Sequence, residues 1–299
     1  MDGGDFLGIC NHEEADTRMI LYVASAITRG ASSVEIRSVD SDVVIIALSI
    51  FSVLIAMNEN ANLWVTLGTG TKVMSYHINA IFANLEKEMG PETAIALALF
   101  TSFTGCDTVS SFFGRGKATC FAAWRSQPQR ISREIILSLK GDFIPLTVLS
   151  PTFQCLEILA ISFYDKNSED VHVNAARVTL SSQKKFDFEL LPPTQSALLE
   201  HVNRSFYQSR VWLQSLLSIQ TLPSPSDFGW MKVKGSWEIL WSKEPMTCKD
   251  LITLVSCKCK KEGGCKGGNC GCLKHGLPCT DLCSCKCDEN DPDENDPSP

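Results

Sequence analysis

The chain has 299 residues, of which 44% are hydrophobic and 20% are charged, and its formal net charge is −7. This apolar content is enough to bury a core, which excludes wholesale disorder. The net negative charge excludes a globally basic nucleic-acid binder of the histone type. Much of the negative charge lies in Asp288–Pro299, which holds six acidic residues and no basic one. We interpret this Pro-rich segment as a disordered acidic tail.

The first 125 residues or so alternate between helical and strand patterns. Apolar residues three or four apart predict a helix over Asn11–Gly30, in which Asn11 and Glu14 have the spacing of a capping box. The longest apolar stretch, Val43–Met57, is shorter than the roughly 20 residues that span a bilayer, so we interpret it as buried core and expect no membrane partner. The remaining predictions are a strand over 34–38, a hairpin over 63–77, and helices over 78–89 and 92–102. This alternation predicts an α/β fold.

The second half of the chain has mainly helical patterns. The clearest helix is predicted over Thr194–Leu217, and a Pro/Ser-rich break then leads to three tryptophans expected on short strands or ordered loop: Trp230, Trp237 and Trp241. We therefore divide the chain into an α/β domain (1–130), a mostly helical extension (131–218), a Trp-bearing linker region (219–256), a cysteine-rich module (257–287) and the acidic tail (288–299).

Nine of the 14 cysteines fall within 31 residues. The N-terminus has no signal-peptide pattern, so we expect an intracellular, reducing location, where clustered thiols indicate metal. Three separate tetrahedral zinc ions would need twelve thiolates, whereas nine suffice when three of them bridge two metals. The spacing therefore predicts a cluster of three zinc ions on Cys257, Cys259, Cys265, Cys270, Cys272, Cys279, Cys283, Cys285 and Cys287.

This cysteine series resembles the tesmin/TSO1-type CXC domain through all nine positions. The resemblance implies zinc binding and, as in several relatives, contact with DNA, and hence a nuclear location. Members of that family usually carry two such modules, and many place a tyrosine before the fourth cysteine, where this chain has Asn269. Six lysines and two acids in the module leave it with little net charge once the metals and thiolates are counted. Attraction to phosphate must therefore come from the placement of its lysines.

Three acidic groups in the first domain have the character of a divalent-cation site. They open a helix, follow a strand, and follow a second helix, and hard cations such as Mg²⁺ or Mn²⁺ prefer such oxygen ligands. Two ions held together can activate water and stabilise the leaving oxygen of a phosphodiester. The candidate ligands are Glu14, Asp16, Asp40, Asp42 and Asp107. We expect them to converge on one cleft at the edge of a mainly parallel sheet, and at least one pKa to be raised.

The order of these acids resembles that of the flap endonuclease/PIN-like nuclease family over residues 11–125 or so. The matching features are an E-A-E/D helix start, a D-x-D after the next strand, and a G-C/S-D before a helix–hairpin–helix. The resemblance implies that Gly114 and Gly116 belong to the hairpin whose backbone amides hold a DNA phosphate, with Lys117 beside them. The family's proline after the second glycine is missing here.

The chain also resembles proteins from transposon-rich animal genomes, from its H-E-E-A-D-T-R segment to the terminal CXC module. Flap-type nucleases carry further metal-binding acids before the E-A-E/D helix, but only ten residues precede Asn11 here. We therefore expect an N-terminally shortened nuclease-like domain in a zinc-binding, nucleic-acid-associated protein of transposon-like origin, which cleaves poorly or not at all. The alternatives are an active Mg/Mn-dependent structure-specific endonuclease and a non-catalytic protein-interaction or chromatin-targeting module.

The five histidines show no paired ligand spacing. We interpret each of them as a cap or a surface residue: His12, His77, His172, His201 and His275.

Overall fold

The computed structural model describes residues 8–182 and 190–242, together with Cys283. The described part contains ten helices and five strands. The helices are α1 (Ala15–Thr28), α2 (Asp42–Ser49), α3 (Phe51–Met57), α4 (Ile78–Met89), α5 (Thr93–Phe103), α6 (Lys117–Ser126), α7 (Pro128–Lys140), α8 (Pro151–Tyr164), α9 (Val173–Ser181) and α10 (Gln195–Leu213). The strands are β1 (Ser33–Ser38), β2 (Asn62–Leu67), β3 (Met74–His77), β4 (Trp230–Val233) and β5 (Ser236–Ile239).

A three-stranded sheet in the order β1–β2–β3 is formed by residues between positions 33 and 77. β1 pairs with β2 in parallel, from Ser33 opposite Asn62 to Ser38 opposite Leu67. β2 and β3 form the predicted hairpin, with Trp64 opposite His77. The chain is thus a mixed α/β protein, as predicted, but the expectation of a mainly parallel sheet is wrong for the described residues. One of the two strand pairs is antiparallel because the hairpin returns directly from β2.

The apolar run Val43–Met57 forms two consecutive helices, α2 and α3. Most of α2 is buried, and α3 keeps Phe51 and Leu54 buried while Val53 is 49% exposed. The interpretation of this run as core is therefore confirmed for its first half, and its second half is an amphipathic surface helix.

Helix α5 lies at the centre of the fold. All of its residues except Ile95 are buried, and it packs against α2, α7 and α10. Apolar residues of α7, α8 and α10 belong to the same hydrophobic core as those of α2 and β2. Each large aliphatic or aromatic side chain buried in this way contributes about 1.5–3 kcal/mol. Residues on both sides of position 130 therefore contribute to one core.

Helix α10 starts as predicted, because the Thr194 side chain accepts a hydrogen bond from the Ala197 amide and caps the helix. The apolar spacing in this segment predicts a stripe of Leu198, Val202, Phe206 and Leu213, of which the first three are fully buried and Leu213 is partly buried against the core. After α10, β4 and β5 form a two-stranded hairpin that carries Trp230 and Trp237. No helix in the described ranges is long and apolar enough to cross a membrane.

Candidate functional site

The five acids predicted from the sequence line a single cleft of about 210 Å³. Glu14 and Asp16 come from the start of α1, Asp40 and Asp42 from the start of α2, and Asp107 from the turn after α5. We call this site the carboxylate cleft. The prediction that these carboxylates converge is confirmed.

The start of α1 is fixed by contacts with the chain after α10. Glu14 is the N-cap residue and its side chain makes no capping hydrogen bond, so the predicted capping box of Asn11 and Glu14 is wrong. Asn11 instead pairs with the backbone of Gln220, accepting from its amide at 2.7 Å and donating to its carbonyl at 2.9 Å. These long-range bonds replace the local cap. They hold the first turn of α1 beside α10.

Asp40 and Asp42 are placed by a short turn between β1 and α2. The Ser38 hydroxyl accepts from the Asp40 amide at 3.0 Å, and Asp40 Oδ1 accepts from the Asp42 amide at 2.8 Å. Such Asx turns are a common use of aspartate before a helix. This one puts both carboxylates at the carboxyl end of β1, where α/β proteins bind ligands.

Asp107 lies in a tight turn that depends on Gly105. Cys106 and Val109 exchange two backbone hydrogen bonds, at 2.9 and 3.2 Å, so that Asp107 and Thr108 form the tip of the turn. Gly105 has a φ of +113°, and a Cβ there would lie 2.8 Å from the Ser111 Cβ. Only glycine fits this approach without strain. The glycine of the G-C-D motif therefore has a structural reason for its position.

Two residues of α10 complete the cleft, and sequence reasoning missed them. Gln208 donates to Glu14 Oε2 at 3.4 Å and accepts from the Thr108 hydroxyl at 2.8 Å, so it links the α1 and Asp107 segments. Trp212 also hydrogen-bonds to the Glu14 carboxylate. Both side chains are buried. One feature of the sequence could have indicated Gln208. It is a polar residue one turn after Arg204, on a helix face that also carries buried apolar residues.

Burial and mutual repulsion raise the pKa values of three of these acids. Burial raises the pKa of Asp42 to about 6, with further contributions from Asp40, Asp107 and Asp16. Burial and then Asp16 raise the pKa of Glu14, and its hydrogen bonds to α10 oppose that shift. Burial, then Asp40 and Asp107, raise the pKa of Asp16. The expectation of at least one raised pKa is confirmed, and a bound cation would relieve this repulsion.

The predicted hairpin lies between α5 and α6, next to the cleft. Gly114 has a φ of +67°, and Gly116 is the N-cap residue of α6. The Lys117 ammonium donates to the Thr101 carbonyl at 3.2 Å and also to the Gly105 carbonyl, and it lowers the pKa of Asp42. Lys117 is therefore directed toward the base of the Asp107 turn as well as lying beside the hairpin glycines.

The donor set of the cleft fits a hard divalent cation, since it consists of carboxylate and amide oxygens. As the side chains are placed, no three His, Cys, Asp or Glu residues in the described ranges could hold one ion together. Mg²⁺ usually binds through one or two carboxylates and keeps several waters, so a triad of protein ligands is not required. The residues that could hold such an ion are the acids that line the cleft: Glu14, Asp16, Asp40, Asp42 and Asp107.

The predicted zinc ligands lie outside the described residues, with the exception of Cys283, which is half-buried. Among the other cysteines, Cys120 and Cys155 are buried thiols, and burial raises the pKa of each to about 11. His201 corrects the interpretation of the histidines as caps or surface residues, because it is buried at 7% exposure. Its burial follows from its position on the α10 face that packs against α5.

Comparisons with models of protein families, with curated proteins and with solved structures find no match to this chain.

Proposed function

We propose that this chain binds nucleic acid and that its carboxylate cleft holds a divalent cation for phosphodiester hydrolysis. The observation that supports this most is the convergence of five carboxylates from three separate segments on one cleft. Burying several like charges is costly unless a cation compensates for them, and the raised pKa of Asp42 reflects this cost.

The proposal gives separate roles to the acids of the cleft, to the residues of α10 that contact Glu14, and to Lys117. A divalent cation, when bound, would polarise a phosphate oxygen and lower the pKa of a water molecule. The acids of the cleft would hold that cation, and Gln208 and Trp212 fix the orientation of Glu14 through its carboxylate. Lys117 fixes the carbonyl of Gly105 and thereby the turn that carries Asp107.

The nucleic-acid partner is proposed from the hairpin and the zinc module. Gly114 and Gly116 lie at the start of α6, where backbone amides at a helix N-terminus favour phosphate. The CXC-like segment supplies further lysines in the sequence. We propose DNA as the nucleic acid and a nuclear, transposon-derived protein, on the resemblance of both segments.

A second candidate is a nucleic-acid binder that does not cleave. It is favoured by the absence, within the described ranges, of three acids placed to hold one ion. It is also favoured by the Lys117 ammonium, which already supplies positive charge near Asp42. In that case the same cleft would serve for binding only.

Cleavage and cation binding together test the proposal. The full chain is incubated with branched and single-stranded DNA in Mg²⁺ or Mn²⁺, and Mn²⁺ binding is measured by calorimetry. We expect weak cation-dependent cleavage, which Asp107→Asn should lower by about 10- to 100-fold, the range known for groups that support a metal site. The matched control is Asp227→Asn, because Asp227 is exposed and lies outside the cleft.

Each alternative has its own outcome in this experiment. DNA binding without cleavage in either metal supports the second candidate. Cleavage that survives Asp107→Asn contradicts the assignment of the cleft. No binding of DNA at low salt contradicts the proposed partner, since contacts to phosphate are strongest there.

The zinc cluster is tested by native mass spectrometry of the reduced full chain. We expect three zinc ions per chain, because the nine thiols require bridging to serve three metals. Cys270→Ser is expected to lower the stoichiometry, since metal binding and folding are coupled in such segments. A single zinc ion per chain would contradict the trinuclear assignment.

A further inference from the structure

A second pocket, of about 270 Å³, is lined by α10 and by the segment after Asp107, and both of these also contribute to the carboxylate cleft. Its walls include the continuation of the Asp107 segment, Ser110–Phe113, and the first half of α10. Tyr164 and Trp241 contribute further walls. We call this site the aromatic pocket. It has no part in the divalent-cation chemistry proposed above.

The rim of the aromatic pocket exposes two large rings. Phe113 is 61% exposed and Trp241 is 76% exposed, although apolar side chains of this size are usually covered. Arg115 packs against the ring of Tyr164, with its guanidinium carbon 4.8 Å from the centre of the ring. The pocket therefore offers aromatic faces on which a planar ring could stack.

Polar groups from α10 line the same pocket. His201 is neutral, because burial lowers its pKa to about 4, and Nε2 donates to the Phe103 carbonyl at 2.8 Å. Its Nδ1 is therefore an acceptor. Arg204 lines the pocket, is only 6% exposed, and donates through Nη1 to the Gly229 carbonyl at 2.9 Å. A ligand in the pocket would therefore meet a ring nitrogen that accepts and a positive charge on the same helix.

A carboxylate lies beside this guanidinium. Glu200 lines the pocket one turn before Arg204 on α10. A bare anion such as free phosphate would be attracted by Arg204 but repelled by Glu200, so the pocket is poorly suited to it. A ligand edge that carries both donors and acceptors satisfies both residues.

We propose that the aromatic pocket takes one nucleobase of the bound strand. A nucleobase has planar faces for stacking and an edge that carries both donors and acceptors. The volume is small for a ligand site, since typical ligand pockets measure about 300–1,000 Å³, and this suits a single ring system. The inference rests on the proposed binding of nucleic acid and adds to it the part of the substrate that is recognised.

The spacing along α10 connects the two sites. His201 and Arg204 line the aromatic pocket, whereas Gln208 and Trp212 line the carboxylate cleft, and all four are three or four residues apart on one helix face. The seven residues from His201 to Gln208 span about 10 Å at the helical rise. At the duplex spacing of about 3.4 Å per nucleotide of one strand, this distance corresponds to about three stacked nucleotides, and to fewer in an extended strand. The base in the pocket would therefore belong to a nucleotide close to the phosphate in the cleft.

Fluorescence of 2-aminopurine in a short single-stranded oligonucleotide tests the inference on the full chain. We expect the fluorescence to be quenched on binding, because the base stacks on aromatic side chains. Trp241→Ala should remove the quenching and weaken binding about tenfold, which corresponds to one stacked base. Trp237→Ala is the matched control, since Trp237 is 44% exposed but does not line the pocket.

Further variants separate this inference from the proposed function. Glu200→Gln removes the carboxylate and keeps the shape, and we expect it to change the relative affinities for oligonucleotides of different bases. Asp107→Asn should leave the quenching unchanged. Binding without quenching, or equal losses in Trp241→Ala and Trp237→Ala, would overturn the base pocket while leaving the carboxylate cleft intact. Quenching without metal-dependent cleavage would support the pocket and contradict the hydrolytic site.

Discussion

The carboxylate cleft and the aromatic pocket share α10 and the segment from Cys106 to Phe113, but their buried groups respond to burial in opposite ways. In the cleft, burial raises the pKa of Asp42 to about 6, and in the pocket it lowers the pKa of His201 to about 4. The cause is the same, because removal of water disfavours the charged form of either group. The cleft is thereby left in need of a cation, and the pocket keeps a neutral ring nitrogen as an acceptor. The sign of the charge that each buried group can carry decides which kind of ligand each site favours.

The pH dependence of stability is the largest expected difference between the two sites. Asp42 has a folded pKa raised above its usual value of 3.8. Its contribution to the unfolding free energy is therefore present below about pH 4 and is lost as the pH rises to about 6. His201 has a folded pKa lowered from 6.5, so its contribution is present above about pH 6.5 and is lost as the pH falls to about 4. In the unchanged chain the two effects partly offset each other.

Single substitutions separate these two contributions. In the unchanged chain, His201 raises the unfolding free energy by about 3 kcal/mol as the pH increases from 4 to 6.5, and His201→Gln should abolish this increase. In the unchanged chain, Asp42 lowers the unfolding free energy by about 1–2 kcal/mol as the pH increases from 4 to 6, and Asp42→Asn should abolish this decrease. The value is reduced for the partial exposure of this side chain. Urea unfolding at a series of pH values measures both.

The charged groups that face each residue define what the pH experiment tests. Lys117, Asp40, Asp107 and Asp16 act on Asp42, and Arg204 acts on His201. Asp227→Asn, outside both sites, should leave the pH profile unchanged. If Asp42→Asn and His201→Gln altered the profile in the same direction, the contrast between the two sites would be wrong.

The segment that joins the two sites is tested by a pair of glycine substitutions. Gly105→Ala should lower the unfolding free energy by about 2 kcal/mol, because its φ is +113° and the new Cβ would lie 2.8 Å from the Ser111 Cβ. Gly116→Ala should cost less, about 0.5–1 kcal/mol, because its φ is −75° and no atom of the described residues outside its chain neighbours lies within 4 Å of the new Cβ, so only the loss of a favoured N-cap residue remains. Thermal unfolding of both variants checks this. Equal effects would show that the turn tolerates a side chain at position 105.

The contribution of α10 to the cleft is the smallest expected effect. Gln208→Leu removes the donor to Glu14 and the acceptor for Thr108, so we expect Mn²⁺ to bind about fivefold more weakly, or about 1 kcal/mol. Calorimetry measures this affinity. Gln154→Leu on α8 is the control, because Gln154 is exposed and lies outside the cleft. An unchanged affinity in Gln208→Leu would mean that α10 does not orient the ligands.

The acids of the cleft could be predicted because their positions depend on local structure. Asp40 and Asp42 follow a strand and begin a helix, and Asp107 follows a glycine at the end of another helix, so their places relative to the elements can be read along the chain. The start of α1 could not be predicted in the same way. Asn11 has the spacing of a cap, but its hydrogen bonds go to Gln220, more than two hundred residues away.

Helix α10 shows most clearly where prediction from the sequence ends. Its apolar stripe and its start at Thr194 were predicted and are observed, because both depend on residues within one or two turns. Its buried polar residues, among them His201, Arg204 and Gln208, were not identified as parts of any site. Polar side chains on a helix usually face water, and the packing of α10 against α5, the Asp107 segment and the turn at Gly229 buries these.

The sequence by itself determined the alternation of helices and strands, the hairpin of β2 and β3, and the set of acids that meet in the carboxylate cleft. These features follow from periodicity, turn chemistry and the short distance between a residue and the element that carries it. The tertiary structure alone decided that the apolar run after Asp42 forms helices rather than strand, and that α10 completes the cleft and lines the aromatic pocket. It did so because burial and long-range hydrogen bonds depend on which elements meet in space, and a linear pattern of residues does not specify those meetings.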